Sequence, residues 1–295
     1  MIFAIPLPVF NPELLSFEIA GVDFAIRWYA LAYIAGFLVA WRWFISLMAR
    51  PDLWPVAPPL DREAADRLLT WVIIGAIAGG RLGYVLFYQQ GYYQQNPVEI
   101  FALWQGGMSF HGGLAGLVTA AVLFCLSQRA SVAAVGDAIA LTATPGLFLG
   151  RIANFINGEL WGEPTQLPWA VIYPLGPASI CPDHWLHACS RHPSQLYEAL
   201  LEGALLCLVL AWLVYRRDGL KTPGQTTGLF FVGYGTARIV VEFFRVADSH
   251  LISPDNPDGY VITLAGGGLT MGQTLSLPMI LLGSGVVIWA RRRRR

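Results

Sequence analysis

The chain has 295 residues, 55% of them hydrophobic and only 13% charged, with a mean hydropathy of +0.52. Soluble domains carry about a quarter charged residues, so a water-solvated globule is disfavoured: the uncharged runs are too many to hide from water in one core. The formal net charge is zero, which argues against nucleic acid as a partner.

The opening segment, MIFAIPLPVFNPELLSFEIAG, has no basic region ahead of an apolar one, so no cleaved signal peptide is expected. Seven apolar stretches follow, running approximately Trp28–Met48, Leu68–Tyr88, Gly112–Ser127, Val132–Gly150, Gln195–Tyr215, Gly228–Phe244 and Gln273–Ala290. About twenty helical residues cross a ~30 Å hydrocarbon core. The third stretch is short for that and must begin earlier or sit at an angle. Arg50, Arg62 and Arg67 follow the first stretch, Arg129 the third, Arg216, Arg217 and Lys221 the fifth, and Arg291 to Arg295 the seventh. The alternate loops are poorer in basic residues, and Gln89 to Phe110 has none. The positive-inside rule therefore predicts the N-terminus outside and the C-terminus in the cytoplasm. The expected fold is an all-α membrane protein with seven transmembrane helices. It forms a single polytopic domain over 1–295, with extracytoplasmic loop segments at about 153–194 and 245–270.

With the direction of each span assigned, most intramembrane polar residues fall in the outer half. Tyr29 opens span one, Arg81 approaches the outer end of span two, and His111 stands at the outer mouth of span three. Arg151 and Asn154 close span four, Glu198 and Glu202 open span five, and Tyr234, Arg238 and Glu242 close span six. Asp137, near the inner end of span four, is the chief exception. An ionisable group at membrane depth costs several kcal/mol unless paired or hydrated. A shared depth therefore points to a polar, outward-opening cavity. Tyr234, Arg238 and Glu242, spaced i, i+4, i+8, stack on one helix face, and Arg151 and Asn154 share another. The competing reading is that Arg238–Glu242 and Arg151–Glu159 are ion pairs joining helices.

Two arginines near head-group level suit a phosphate, to which guanidinium offers a planar fork of donors. His111, in FHGGLAGL, is a candidate general base near neutral pH, or else a histidine bonded to a neighbouring helix. The sequence has no nucleophile elbow, Walker loop or metalloprotease helix.

The blocks RWYALAYIAGF, GGRLGYVLFY, MSFHGGLAG, GRIANFINGELWGEPT, RHPSQLYEALLEG and GYGTARIVVEFFR follow one another along the chain. Together they resemble the bacterial prolipoprotein diacylglyceryl transferase family from end to end. The resemblance implies a multi-pass enzyme of the bacterial inner membrane, with a periplasmic N-terminus and a small periplasmic head built from the loops. Its reaction would transfer diacylglyceryl from phosphatidylglycerol to the lipobox cysteine thiol of a prolipoprotein signal peptide, releasing glycerol 1-phosphate. By resemblance, Arg151 and Arg238 fall on the family's essential arginines and His111 on its important histidine. Tyr29, Asn154, Glu159, Gly162, Tyr234 and Glu242 fall on other motif positions. The implied roles are a phosphate grip for Arg151 and Arg238, and thiol deprotonation by His111 with help from Tyr234. Arginine-assisted lowering of the thiol pKa would serve without a base. No cofactor and no metal are implied; phosphatidylglycerol, the prolipoprotein and the surrounding membrane lipids are the expected partners.

CPDHWLHAC, from Cys181 to Cys189, stands outside that pattern. Its cysteines suit a local disulfide, or with His184 and His187 a zinc site, or free thiols. Cys125 and Cys207 lie within spans as small packing residues. A different functional class, an anion or lipid transporter with an outward-open arginine-lined cavity, would ordinarily show two repeated halves, and NGELWG has no counterpart elsewhere.

Overall fold

The computed structural model describes residues 4–8, 11, 13–19, 22–174, 177–181, 189–247, 251–264 and 267–294, with backbone alone for 16–19, 22–27 and 105. A short strand β1 (Ile5–Pro6) precedes a hairpin of β2 (Glu13–Ile19) and β3 (Val22–Arg27), which runs directly into α1 (Trp28–Met48). Then come α2 (Arg62–Phe87), a short α3 (Gln90–Gln95), α4 (Phe110–Ser127), α5 (Val132–Thr142) and α6 (Thr144–Ile156). Strands β4 (Val171–Ile172) and β5 (Ser190–Arg191) lead to α7 (Ser194–Glu198), a π-helical stretch over Ala199–Leu205, and α8 (Leu206–Arg216). Helix α9 (Gln225–Glu242), the hairpin β6 (Ile262–Leu264) and β7 (Gly267–Leu269), and α10 (Met271–Arg294) complete the chain.

Among the described residues, six segments are helices long and apolar enough to cross a membrane. They are Trp28–Met48, Arg62–Phe87, Phe110–Ser127, Val132–Ile156, Ser194–Arg216 and Met271–Arg294. The expected sixth span is present as α9, an 18-residue helix, but is not one of those six. Gln225, Thr226, Thr227, Tyr234, Thr236, Arg238 and Glu242 dilute its apolar residues. The expected third span starts two residues earlier, at Phe110, where the Ser109 hydroxyl caps the helix by accepting from Gly112 N at 3.2 Å. The fourth breaks at Ala143, with Pro145 in the first turn of α6.

The chain divides into two compact units. One comprises Trp43–Ala138 and is built on the antiparallel pair α2 and α4. Their backbones meet along Gly75, Gly79 and Gly83 on α2 and Gly112 and Gly116 on α4. A Cβ at Gly79 would lie 2.4 Å from Gly112 O, so this seam admits only glycine. Between the two helices the chain makes an arm from Gln90 to Gly107, latched by Arg81, whose residue is only 3% exposed. Its guanidinium donates to the carbonyls of Ile100 (2.8 Å), Gly106 (2.5 Å), Gly107 (3.1 Å), Glu99 (2.6 Å) and Ala102 (3.2 Å). It also stacks 5.1 Å from the Tyr93 ring centroid. A buried guanidinium needs its donors met, and Arg81 meets them on main chain.

The other unit comprises Met1–Arg42 and Ile139–Arg295. In it α6 packs on α7 and the π-helical stretch, and α9 lies against α10. A small polar-ended layer adjoins them: β1 pairs parallel with β4, and β4 antiparallel with β5. Val171, Tyr173 and Ala178 form its core with Leu7, Phe155 and Trp161. Cys181 and Cys189 are joined as a disulfide, closing the local loop. The alternative zinc ligands His184 and His187 lie outside the described residues.

Candidate active site

The polar residues of the second unit assemble around α7 and the π-helical stretch that continues it. Glu198 and Glu202, one turn apart, are both fully buried. An isolated buried carboxylate is prohibitively costly, so these two require cationic partners. Helix α6 supplies Arg151, whose Nη1 lies 3.2 Å from Glu198 Oε2 and whose Nη2 lies 3.2 Å from Glu202 Oε2. Helix α9 supplies Arg238, which donates through Nη1 to Glu198 Oε1 and through Nη2 reaches Glu242 Oε2 at 3.0 Å. Arg245, just past α9, donates to Glu198 Oε1 at 3.0 Å. Glu198 thus gathers three guanidiniums. The contact from Arg151 Nη1 has ion-pair distance without hydrogen-bond alignment, so Glu198 Oε2 counts as electrostatically paired only. Tyr234 lies beside the Arg151 guanidinium.

Arg151 and Arg238 retain side-chain exposures of 19% and 16%, against 0% for the glutamates behind them. The carboxylates therefore form a floor and the guanidiniums a partly open face. That arrangement can exchange a carboxylate partner for an entering anion.

A second group of the predicted residues lies close by in sequence and on the same helix. Asn154, 4% exposed on α6, donates through Nδ2 to the Tyr29 hydroxyl at 3.1 Å, and Tyr33 donates to the same oxygen at 3.3 Å. Beyond α6 the chain turns through Gly158, at φ +65°. Glu159 consequently leaves the helix face: its Oε1 accepts from Asn157 Nδ2 at 3.5 Å. Of the two ion pairs in the competing reading, Arg238–Glu242 forms, while Arg151 pairs with Glu198 and Glu202 and not with Glu159.

Gly162 is fixed by backbone on both sides. Its N–H donates to His192 O at 2.9 Å, and its own carbonyl accepts from Arg191 Nη1 at 3.3 Å. A Cβ here would come within 2.3 Å of Phe244 O. Arg191 also donates to Ala178 O and Ile180 O at 2.8 and 2.5 Å, tying this turn to the small sheet. Burial lowers the Arg191 pKa, consistent with a cation held by carbonyl dipoles.

His111 stands in the Trp43–Ala138 unit, exposed on the first turn of α4, with its ring 5.6 Å from that of Phe110. Every contact that defines the arginine network lies within the other unit. Sequence reasoning missed Arg245 and the bridging role of Glu198. The signal was available in RHPSQLYEALLEG, where two glutamates four residues apart share a helix face with no cation within a turn of them on that helix.

Apolar helices enclosing a charge-balanced network of arginine and glutamate define an integral membrane protein with a polar interior site. The family model for prolipoprotein diacylglyceryl transferase matches residues 15–289. Among curated relatives, the phosphatidylglycerol–prolipoprotein diacylglyceryl transferases of Cereibacter sphaeroides and Ruegeria pomeroyi are each 54% identical. The first alignment covers 98% of both chains and the second 96% of both. The Rhodospirillum rubrum protein of the same name is 50% identical, over 100% of this chain and 97% of its own. The chain belongs to the prolipoprotein diacylglyceryl transferase family, and it is a transferase of lipoprotein maturation.

Proposed function

We propose that the chain transfers the diacylglyceryl group of phosphatidylglycerol to the lipobox cysteine thiol of a prolipoprotein. Arg151 and Arg238 hold the lipid phosphate between them. The thiol gives its proton to His111, with Tyr234 assisting. The thiolate sulfur then attacks the glyceryl carbon bonded to phosphate oxygen. That carbon–oxygen bond breaks, a thioether forms, and the charge arriving on departing glycerol 1-phosphate is met by the two guanidiniums. Glu242 and Glu198 aim Arg238. Asn154 and Tyr29 fix the Arg151 helix beside the head group, and Glu159 and Gly162 shape the turn beyond it. The chemistry calls on no cofactor or metal.

In this reading α9 is also a span, the sixth in chain order, and the total is seven. The N-terminus faces the periplasm, the C-terminus the cytoplasm, and the segments at about 153–194 and 245–270 form a periplasmic head over one polytopic domain in the bacterial inner membrane. The observation that carries the reading is the pair of partly exposed guanidiniums backed by buried carboxylates. The test incubates purified protein with phosphatidylglycerol and a lipobox peptide, and weighs the peptide. Gain of one diacylglyceryl group is expected from the native enzyme, with at least a hundredfold less from Arg151→Lys or Arg238→Lys, because ammonium cannot reproduce the bidentate fork. Flux of an anionic solute with no peptide modification would replace this reading by the transporter.

A further inference from the structure

Among the described residues the network of guanidiniums and carboxylates is balanced in charge. Arg151, Arg238 and Arg245 oppose Glu198, Glu202 and Glu242, and every one of the six takes part in an ion pair. A phosphodiester entering this network brings one negative charge with no matching cation. The three carboxylates are unequally equipped to respond. Glu198 keeps Arg238 and Arg245 on Oε1 even if Arg151 turns away. Glu242 keeps its i, i+4 partner Arg238 at 3.0 Å. Glu202 depends on Arg151 alone for its ion pair among the described residues, through Oε2 at 3.2 Å. Its other oxygen, Oε1, is fully buried with no hydrogen-bond partner among the described residues. The residue itself is 0% exposed.

We propose that Glu202 takes up one proton when the lipid phosphate occupies Arg151. The Arg151–Glu202 ion pair is exchanged for an Arg151–phosphate pair, and a proton from solvent bonds to the freed carboxylate. The charge of the site is thereby unchanged by lipid binding. The groups that face Glu202 leave it no other cation: Arg151 from α6 is the one withdrawn, Arg238 from α9 is already held by Glu198 and Glu242, and Glu198 on its own helix and Tyr234 from α9 contribute negative or neutral oxygen. A buried carboxylate deprived of its partner is more costly than a neutral carboxyl group in the same place. Glu202 is a positioning residue, acting on the lipid through Arg151, and the proposal rests on the reading that Arg151 grips phosphate.

The experiment is calorimetric titration of the purified full-length protein in micelles with dioctanoyl phosphatidylglycerol, at pH 7 to 8, in two buffers of different ionisation heat. The native protein is expected to take up about one proton per lipid bound, with affinity falling about tenfold per pH unit. Glu202→Gln, which holds neutral charge at that position, should bind with no proton uptake and no pH slope. Native binding with no proton uptake would overturn the inference, as would uptake undiminished in Glu202→Gln. Lipid binding by Arg151→Gln as tight as native would overturn the phosphate-grip reading itself. The native measurement alone decides the proton question if the Glu202 variant does not fold.

Discussion

Asn154 and Tyr29 are 125 positions apart in the chain and meet side chain to side chain, the amide donating to the phenol oxygen at 3.1 Å. One belongs to the last turn of α6 and the other to the first turn of α1, so the contact pins two helix ends beside the arginine network. Removing the Tyr29 hydroxyl takes away the acceptor of the buried Asn154 amide, at a cost of about 1–3 kcal/mol, whereas without Asn154 the Tyr29 oxygen still accepts from Tyr33. Tyr29→Phe and Asn154→Ala should each lower thermal stability, and the double variant should lose clearly less than the sum. Strict additivity in that cycle would show that the bond contributes nothing.

Gly162→Ala must push a methyl against the carbonyls of Phe244 and His192, at 2.3 and 2.7 Å from the ideal Cβ. Both obstacles are main chain and cannot swing aside. The substitution should destabilise the fold by about 1–3 kcal/mol and shift the turn that follows Arg151 and Asn154, reducing transfer with it. A native melting curve for Gly162→Ala would refute this.

Arg81 makes a prediction of the opposite kind, structural and away from the arginine network. Each bond from its guanidinium to a carbonyl stabilises the arm by about 1.5–3 kcal/mol, so losing even one raises the open population more than tenfold. Chymotrypsin is the suitable probe, because the arm offers Tyr92, Tyr93, Phe101 and Trp104. Arg81→Ala should be cut there much faster than native, with Arg81→Lys between them. Equal cleavage of all three would mean the latch is idle.

His192 links stability to pH. Burial lowers its pKa from the ordinary 6.5, so the folded protein favours the neutral ring and the unfolded chain binds the proton more readily. Its contribution is complete above pH 6.5 and is lost as pH falls through the folded value. Glu163, whose pKa burial raises, has the opposite sign: its contribution is greatest in acid and fades as pH rises. Melting temperatures from pH 7.5 to 5 should therefore fall less for His192→Gln than for native protein. Parallel curves would remove His192 from the balance.

The sequence exposed what depends on near neighbours. Trp28–Met48 is both the expected span and the observed helix, and the Arg238–Glu242 pair follows from helical spacing alone. The break at Ala143 was also written locally, in Pro145. What was not legible is partner choice over distance. Arg238 finds Glu198 across 40 positions, and Arg81 finds carbonyls 18 to 26 positions on, which no side-chain pattern advertises because main chain carries no sequence signature. Arg151 takes Glu198 and Glu202 as partners and not Glu159, which follows the left-handed turn at Gly158. Helix α9, on which the expected sixth span falls, is not among the six apolar helices and carries Tyr234, Arg238 and Glu242.

The network also has an order in time. A ribosome works from the N-terminus, and Arg151 is made 51 positions before Glu202. At roughly 5–20 residues per second, the arginine spends about 3–10 s as a charge whose counter-ions do not yet exist. Arg238 and Arg245 emerge later still, closing on a Glu198 already in place. Both carboxylates that pair with Arg151 are therefore supplied by RHPSQLYEALLEG, made after the helix that carries the arginine. A chain truncated before Glu198 would lack both carboxylates that pair with Arg151.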